Sequence, residues 1–328
     1  MSKKRYYIAC PYNTFTGGPT LAHQMCDMLR WQEQDAKMYY YSGNDFVSSW
    51  DDIVNTPLGI YHTKCASSKQ EADTEDSVIL VPETNWNLIR SFKHATCYVW
   101  WMSVYYYEWT TDWFDEKTNN WFKKEYAPNT LHFVQSKYAY DYCKDTLHIP
   151  EDNIHYLTDY IDQIYTHPHD IQMHCKDSVF YNPAKMSDGQ SKLMEKYPQF
   201  DWVPITNMDK EEISSVFGNG KVYVDFGHHP GKDRMPREAA ASKCCIITNK
   251  EGAAGNDADV LINDEYKFDN VLYQLDDIAK LIKDCIENYD KRIKDFARYR
   301  MAIKTEKRRF EQEVENFIAV TSCDNKEG

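Results

Sequence analysis

The 328-residue chain is predicted to fold as α/β, with two facing Rossmann-like domains and a C-terminal helix packing back across them. Three observations carry the prediction. The length exceeds what one compact core usually serves and suggests two domains of about 150 residues each. Short apolar runs alternate with segments of helical period, which implies parallel sheet with crossover connections. The alternation breaks near Tyr165–Ser178 and then restarts. The expected organisation is a first domain over 1–166, a linker over 167–177, a second domain over 178–275 and a helical segment over 276–328.

The first domain opens on the strand-like run Tyr6–Cys10, then the turn Thr16-Gly17-Gly18-Pro19 and a helix carrying Leu21, Met25, Met28 and Leu29. Met38–Tyr41, Val78–Val81, Thr96–Trp101 and Leu131–Val134 read as further strands, and Tyr138–Leu147 as a helix. His167-Pro168-His169-Asp170 marks the linker; its histidines lack other ligands at a metal-binding spacing. Beyond it the strands are Val179–Tyr181, Asp201–Ile205, Lys221–Phe226, Cys244–Thr248 and Val260–Ile262, with helices at Gln190–Lys196 and near Arg237–Ser242. A 3-and-4-spaced stripe, Ile278 to Phe296, makes the tail helical, and Thr321–Gly328 reads as frayed.

Composition narrows the function. The net charge of −13 argues against a sequence-independent nucleic-acid partner, but a local cationic cluster can still hold a small anion. Ten cysteines show no metal spacing and read as buried small hydrophobes in a reducing compartment. Met1-Ser2-Lys3-Lys4-Arg5 runs into the first strand with no apolar leader, so a cytoplasmic location is expected. Lys304–Arg309 is mostly basic; it reads as a solvated helix face, with peripheral contact at the inner face of a membrane as the alternative.

The most informative stretch is Tyr223-Val224-Asp225-Phe226-Gly227-His228-His229-Pro230-Gly231-Lys232-Asp233-Arg234-Met235-Pro236-Arg237-Glu238-Ala239-Ala240-Ala241. A strand ends in a glycine-bounded loop, and a proline introduces a helix. Gly231, Lys232, Arg234 and Arg237, with the unpaired N–H groups of a helix start, suit a diphosphate. Glu238 is placed to accept hydrogen bonds from vicinal ribose hydroxyls. A charged surface loop without a ligand is the plain alternative. Asp233 stands where a P-loop needs Ser or Thr, which excludes the NTPase reading.

This segment resembles the nucleotide-sugar site of GT-B glycosyltransferases, especially bacterial surface-polysaccharide enzymes akin to the retaining family-four group. Their E-x7-E pattern places its second Glu at Glu238 and its first at Pro230, so the usual carboxylate on the donor sugar is absent, with His228 or His229 as substitutes. The resemblance implies Lys185 as a diphosphate cation and Gly17 and Gly18 as the loop that approaches the donor phosphate. Asp257-Ala258-Asp259, although a D-x-D triplet, sits among turn residues and reads as a turn.

In the N-terminal half, the aromatic run Trp100–Trp109 ends a strand, and its Trp101, Ser103 and Tyr105 suit an acceptor, by stacking and hydroxyl contacts; core packing is the alternative. Glu83, at the end of another strand, is a candidate to orient the acceptor or move a proton. The expected activity is sugar transfer from a UDP- or GDP-linked donor to a carbohydrate or lipid-linked acceptor in surface polysaccharide synthesis. The resemblance implies retention of the anomeric configuration; Lys232 and Arg237 are expected to stabilise the leaving diphosphate, with no metal or other cofactor. A nucleotide-sugar epimerase and a non-catalytic nucleotide-sugar-binding subunit are the competing readings.

Overall fold

The computed structural model describes residues 4–166 and 176–323. The predicted linker, His167-Pro168-His169 included, lies almost wholly outside the described residues. Two compact units are present: one takes the chain through Asp159 and again from Arg308, the other spans Tyr160–Lys307. Residues 276–307 therefore belong to the second unit and the final helix largely to the first, instead of forming a segment of their own.

The first unit holds a seven-stranded sheet of β1 (Arg5–Pro11), β2 (Asp35–Ser42), β3 (Asp45–Val47), β4 (Ser77–Pro82), β5 (Thr96–Trp101), β6 (His132–Val134) and β7 (Ile154–Tyr156). Their order is β3-β2-β1-β4-β5-β6-β7, parallel except for the β2–β3 hairpin. The second holds β8 (Ser178–Tyr181), β9 (Asp201–Pro204), β10 (Val222–Asp225), β11 (Cys245–Asn249) and β12 (Lys267–Phe268), ordered β12-β11-β10-β8-β9 and all parallel. Parallel strands are covered on both faces, so their sequences are continuous apolar runs. Buried Ser77-Val78-Ile79-Leu80-Val81-Pro82 is the plainest case.

Both sheets reverse direction of growth once, between β1 and β4 in the first and between β8 and β10 in the second. Loops leaving the carboxyl ends of those strand pairs diverge to opposite faces and open a crevice, the usual ligand position in such sheets. After β1 and β4 come Gly17-Gly18 and Glu83; after β8 and β10 come Lys185 and the 226–233 loop.

Several elements differ from the sequence expectation. Val260–Ile262 is not a strand. The Val260 N–H turns back to Asn256 O at 3.0 Å, and both apolar side chains fill the core from a loop. The edge position goes to two-residue β12. The β3 and β7 strands, three residues each, are too short to show a period. The C-terminal stripe is also interrupted: a helix at Leu275–Glu287 ends at Asn288, and helices Ala297–Lys304 and Glu306–Cys323 follow. In the last of these, Phe317 packs against Tyr6 and Phe133 with ring centroids at 5.6 and 4.7 Å. Thr321, expected to fray, is buried, with its hydroxyl 2.7 Å from Phe317 O.

Candidate functional site

The second unit's crevice is built by close backbone approach. Gly227 follows β10 where a Cβ would lie 2.2 Å from Lys185 O, so only glycine lets the loop lie against the Pro183–Lys185 turn. Gly252 has φ of +53°, and a Cβ there would meet His229 O at 2.1 Å. These contacts bring Lys185 and the loop together, and the Lys185 ammonium pairs with Asp233.

His229 is buried and fully engaged. Nδ1 donates to Asp233 Oδ2 at 2.8 Å and Nε2 to Asp225 O at 3.3 Å. Burial opposes a charged ring, but the carboxylates of Asp225 and Asp233 outweigh it and raise the pKa. His229 therefore locks the loop and has no atom to offer a donor sugar, which corrects that expectation. His228 is exposed, 3.1 Å from Glu251 Oε2. Ligand atoms of Asp225, His229 and Asp233 converge within 4.8 Å, as for a metal, yet the ammonium of Lys185 already supplies a cation to Asp233.

Lys232 and Arg237 are not on the surface of the loop. Glu306, nearly inaccessible at the start of the last helix, accepts Lys232 Nζ at 2.7 Å on one oxygen and Arg237 at 2.9 Å on the other. The rest of the Arg237 guanidinium donates to Asp233 O at 3.0 Å and Lys232 O at 3.1 Å. A buried cation must be paired in this way, because desolvation without a counter-ion costs several kcal/mol. The expectation that Arg237 meets the donor diphosphate directly is thereby corrected: it holds the loop backbone. Glu306 was missed because its neighbours, Lys304-Thr305 and Lys307-Arg308-Arg309, give the segment the look of a solvated face. Only tertiary structure singles it out.

Two more of the expected site residues lie on the Arg234–Ala241 helix. Arg234 opens the Arg234–Ala241 helix; its second terminal nitrogen is buried with no hydrogen-bond partner, while the other lies 3.4 Å from Tyr160 O. Its Nε is 3.8 Å from Glu238 Oε1, so the predicted diphosphate and ribose groups are side by side. The Asp233 carboxylate, spent on Lys185 and His229, does not cap this helix, which leaves its first-turn N–H groups without a side-chain acceptor. Gly231 is buried in the same loop.

In the first unit, a helix starts at Gly17 with Thr16 making no side-chain cap. A Cβ at Gly17 would meet nothing within 4 Å and one at Gly18 only Met102 Cε at 3.9 Å, so neither glycine is demanded by packing. Glu83 is inaccessible. One carboxyl oxygen accepts the Met102 N–H at 3.0 Å and the other has no partner, and burial pushes its pKa to about 7. It shapes the turn between β5 and the Val104–Thr111 helix, and a direct reach to an acceptor is corrected on that ground. Ser103, at that turn, has a buried hydroxyl without a partner, and Tyr105 is exposed. Trp101 is a core residue: its indole N–H donates to His132 Nδ1 at 2.9 Å and its ring packs on Tyr107. Stacking on an acceptor is therefore excluded for it. The triplet Asp257–Asp259 is a turn, with Asp257 paired to Lys267 at 2.8 Å.

With this geometry in place, solved structures of similar shape are informative. A glycosyltransferase from Rickettsia africae matches over 100% of both chains, with a TM-score of 0.65 and 12% identity. Anabaena HepE, solved in complex with UDP-glucose, matches over 98% of this chain and 100% of its own, with a TM-score of 0.61 and 12% identity. The sucrose-phosphate synthase of Thermosynechococcus elongatus matches over 98% and 100%, with a TM-score of 0.63 and 9% identity. The shared fold is GT-B. No protein-family model matches the chain, and no curated protein matches it in sequence. At these identities the likeness speaks for the two Rossmann-like units, and chemistry must come from the residues.

Proposed function

We propose that the chain is a glycosyltransferase that takes its sugar from a nucleoside diphosphate donor bound at the second unit's crevice. The observation that carries this is the pairing of Arg234, whose buried terminal nitrogen lacks a partner, with Glu238 on one helix turn beside Lys185. A cationic, uncapped helix start suits the diphosphate, and the neighbouring carboxylate suits the ribose. The resemblance of Tyr223–Ala241 to the family-four-like site, and the UDP-glucose bound by similarly folded HepE, agree with it.

As the glycosidic bond to the diphosphate breaks, negative charge gathers on the leaving oxygen. Arg234, Lys185 and the helix N–H groups stabilise that charge, and Lys232 and Arg237 hold the loop that carries them. Retention of anomeric configuration follows from the resemblance. With fixed cations at the leaving group, transfer proceeds without a divalent metal. On the acceptor side, Ser103 and Tyr105 are the retained candidates for a carbohydrate or lipid-linked acceptor in surface polysaccharide synthesis. Among the described residues no helix is long and apolar enough to cross a membrane.

The test is a screen of UDP- and GDP-sugars with carbohydrate and lipid-linked acceptors, with and without a chelator. Acceptor-dependent release of nucleoside diphosphate, undiminished by chelator, is expected. Sugar isomerisation without an acceptor would identify an epimerase. Donor binding without any turnover would identify a binding subunit, the reading that Pro230 in place of a carboxylate keeps in view.

A further inference from the structure

A second cationic cavity lies at the opposite edge of the second unit's sheet. Lys221 immediately precedes β10, and Lys243 lies two residues before β11. The adjacent parallel strands bring both to the amino edge, where the Cys245 N–H donates to Lys221 O at 2.8 Å. The proposed donor loop leaves the carboxyl end of β10, so the two places are at opposite ends of one strand. With Lys291 and Arg300, these lysines line an open cleft of about 810 Å³ whose wall includes Tyr289.

The charges there are unbalanced. Lys221 pairs with Asp177 at 2.6 Å. Lys243, Lys291 and Arg300 make no ion pair among the described residues. Arg300 is only partly exposed, and its one side-chain hydrogen bond among the described residues runs from a terminal nitrogen to Ile293 O at 2.9 Å. Burial lowers its pKa with no carboxylate acting against it. Two acidic residues, Glu287 and Asp290, line the same cleft against four cations. With Asp177 on Lys221 and with Glu287 and Asp290 in the wall, the four cations still outnumber the carboxylates by one, and the partly buried Arg300 guanidinium has no ion pair among the described residues, so an anion would complete the cleft. The volume is in the range of small-molecule sites, and an arginine fork with lysine point charges suits a phosphate group.

We propose that this cleft is a second anion site, taking a phosphorylated ligand independently of the donor. Such a phosphate has two sources, a soluble phosphorylated metabolite or a phospholipid headgroup, and the test separates them. Inorganic pyrophosphate is titrated calorimetrically into the full chain held in saturating UDP, which occupies the donor loop. Vesicles containing phosphatidic acid are tested in parallel by co-sedimentation. The variants are Arg300→Met and, since that side chain is partly buried, the exposed pair Lys243→Met/Lys291→Met.

The expected result is binding of pyrophosphate or of vesicles by the wild type, weakened at least about tenfold in both variants, with UDP affinity unchanged. Pyrophosphate binding assigns a soluble ligand, and vesicle binding alone a lipid headgroup. The site is refuted if the wild type binds neither probe, or if both variants bind as the wild type does. A chain that ignores UDP but binds pyrophosphate through Arg300 would retain this site while losing the donor reading.

Discussion

Glu83 offers a prediction whose size follows from its surroundings. Its carboxyl is wholly buried after β4, and burial lifts the pKa from 4.5 to about 7, against the hydrogen bond from Met102 N–H. The unfolded chain ionises this group near its ordinary value, so between the two values folding favours the protonated form. The contribution to stability is complete below about pH 4.5 and is lost as pH rises through about 7. At roughly 1.4 kcal/mol per pH unit, the span amounts to about 3 kcal/mol. Glu83→Gln removes the titration and keeps an acceptor for Met102, adding only an offset that does not change with pH. Urea unfolding of both proteins at intervals from pH 4.5 to 8 measures the difference in stability. The variant should gain on the wild type by about 3 kcal/mol across that interval, most of it by pH 7. A difference constant with pH would refute the buried, protonated carboxyl.

Two further predictions concern the second unit. Glu306→Gln removes the buried carboxylate that Lys232 and Arg237 share, and should destabilise the protein by about 3–5 kcal/mol in chemical denaturation; a loss under about 1 kcal/mol would make the triad equivalent to a surface pair. His229→Asn removes a ring whose pKa is raised by Asp225 and Asp233, so its contribution is present below about pH 6.5 and fades as pH rises through the higher folded value. The wild-type advantage over this variant should shrink from pH 6 to pH 9, as thermal melts at each pH would show.

The framework was legible in the sequence wherever a strand was long enough to form a buried run. Thr96–Trp101 coincides with β5, and the glycine-bounded loop before Arg234 is where it was expected. Single-sequence patterning failed where an element owed its form to pairing partners. Two-residue β12 and three-residue β3 exist because a neighbouring edge accepts them, and Val260 and Ile262 are apolar because the core is near, with no strand required. The candidate site was legible as a neighbourhood and less so as roles. Lys232, Arg234 and Arg237 stand together in the sequence, but which cation faces a ligand depends on Glu306, some seventy residues later. Likewise, the aromatic run after β5 mixes core and surface: Trp101 is bonded to His132 while Tyr105 is exposed, a distinction set by which way the turn held by Glu83 directs each side chain.

The central claim is that the Arg234–Glu238 turn binds a nucleoside diphosphate, and calorimetric titration of UDP and GDP into the wild type and Glu238→Ala tests it most directly. Loss of a hydrogen bond to a charged group costs about 1.5–3 kcal/mol, so the variant should bind the preferred nucleotide roughly ten- to 150-fold more weakly. Wild-type indifference to both nucleotides, or equal affinity in the variant, would contradict the account.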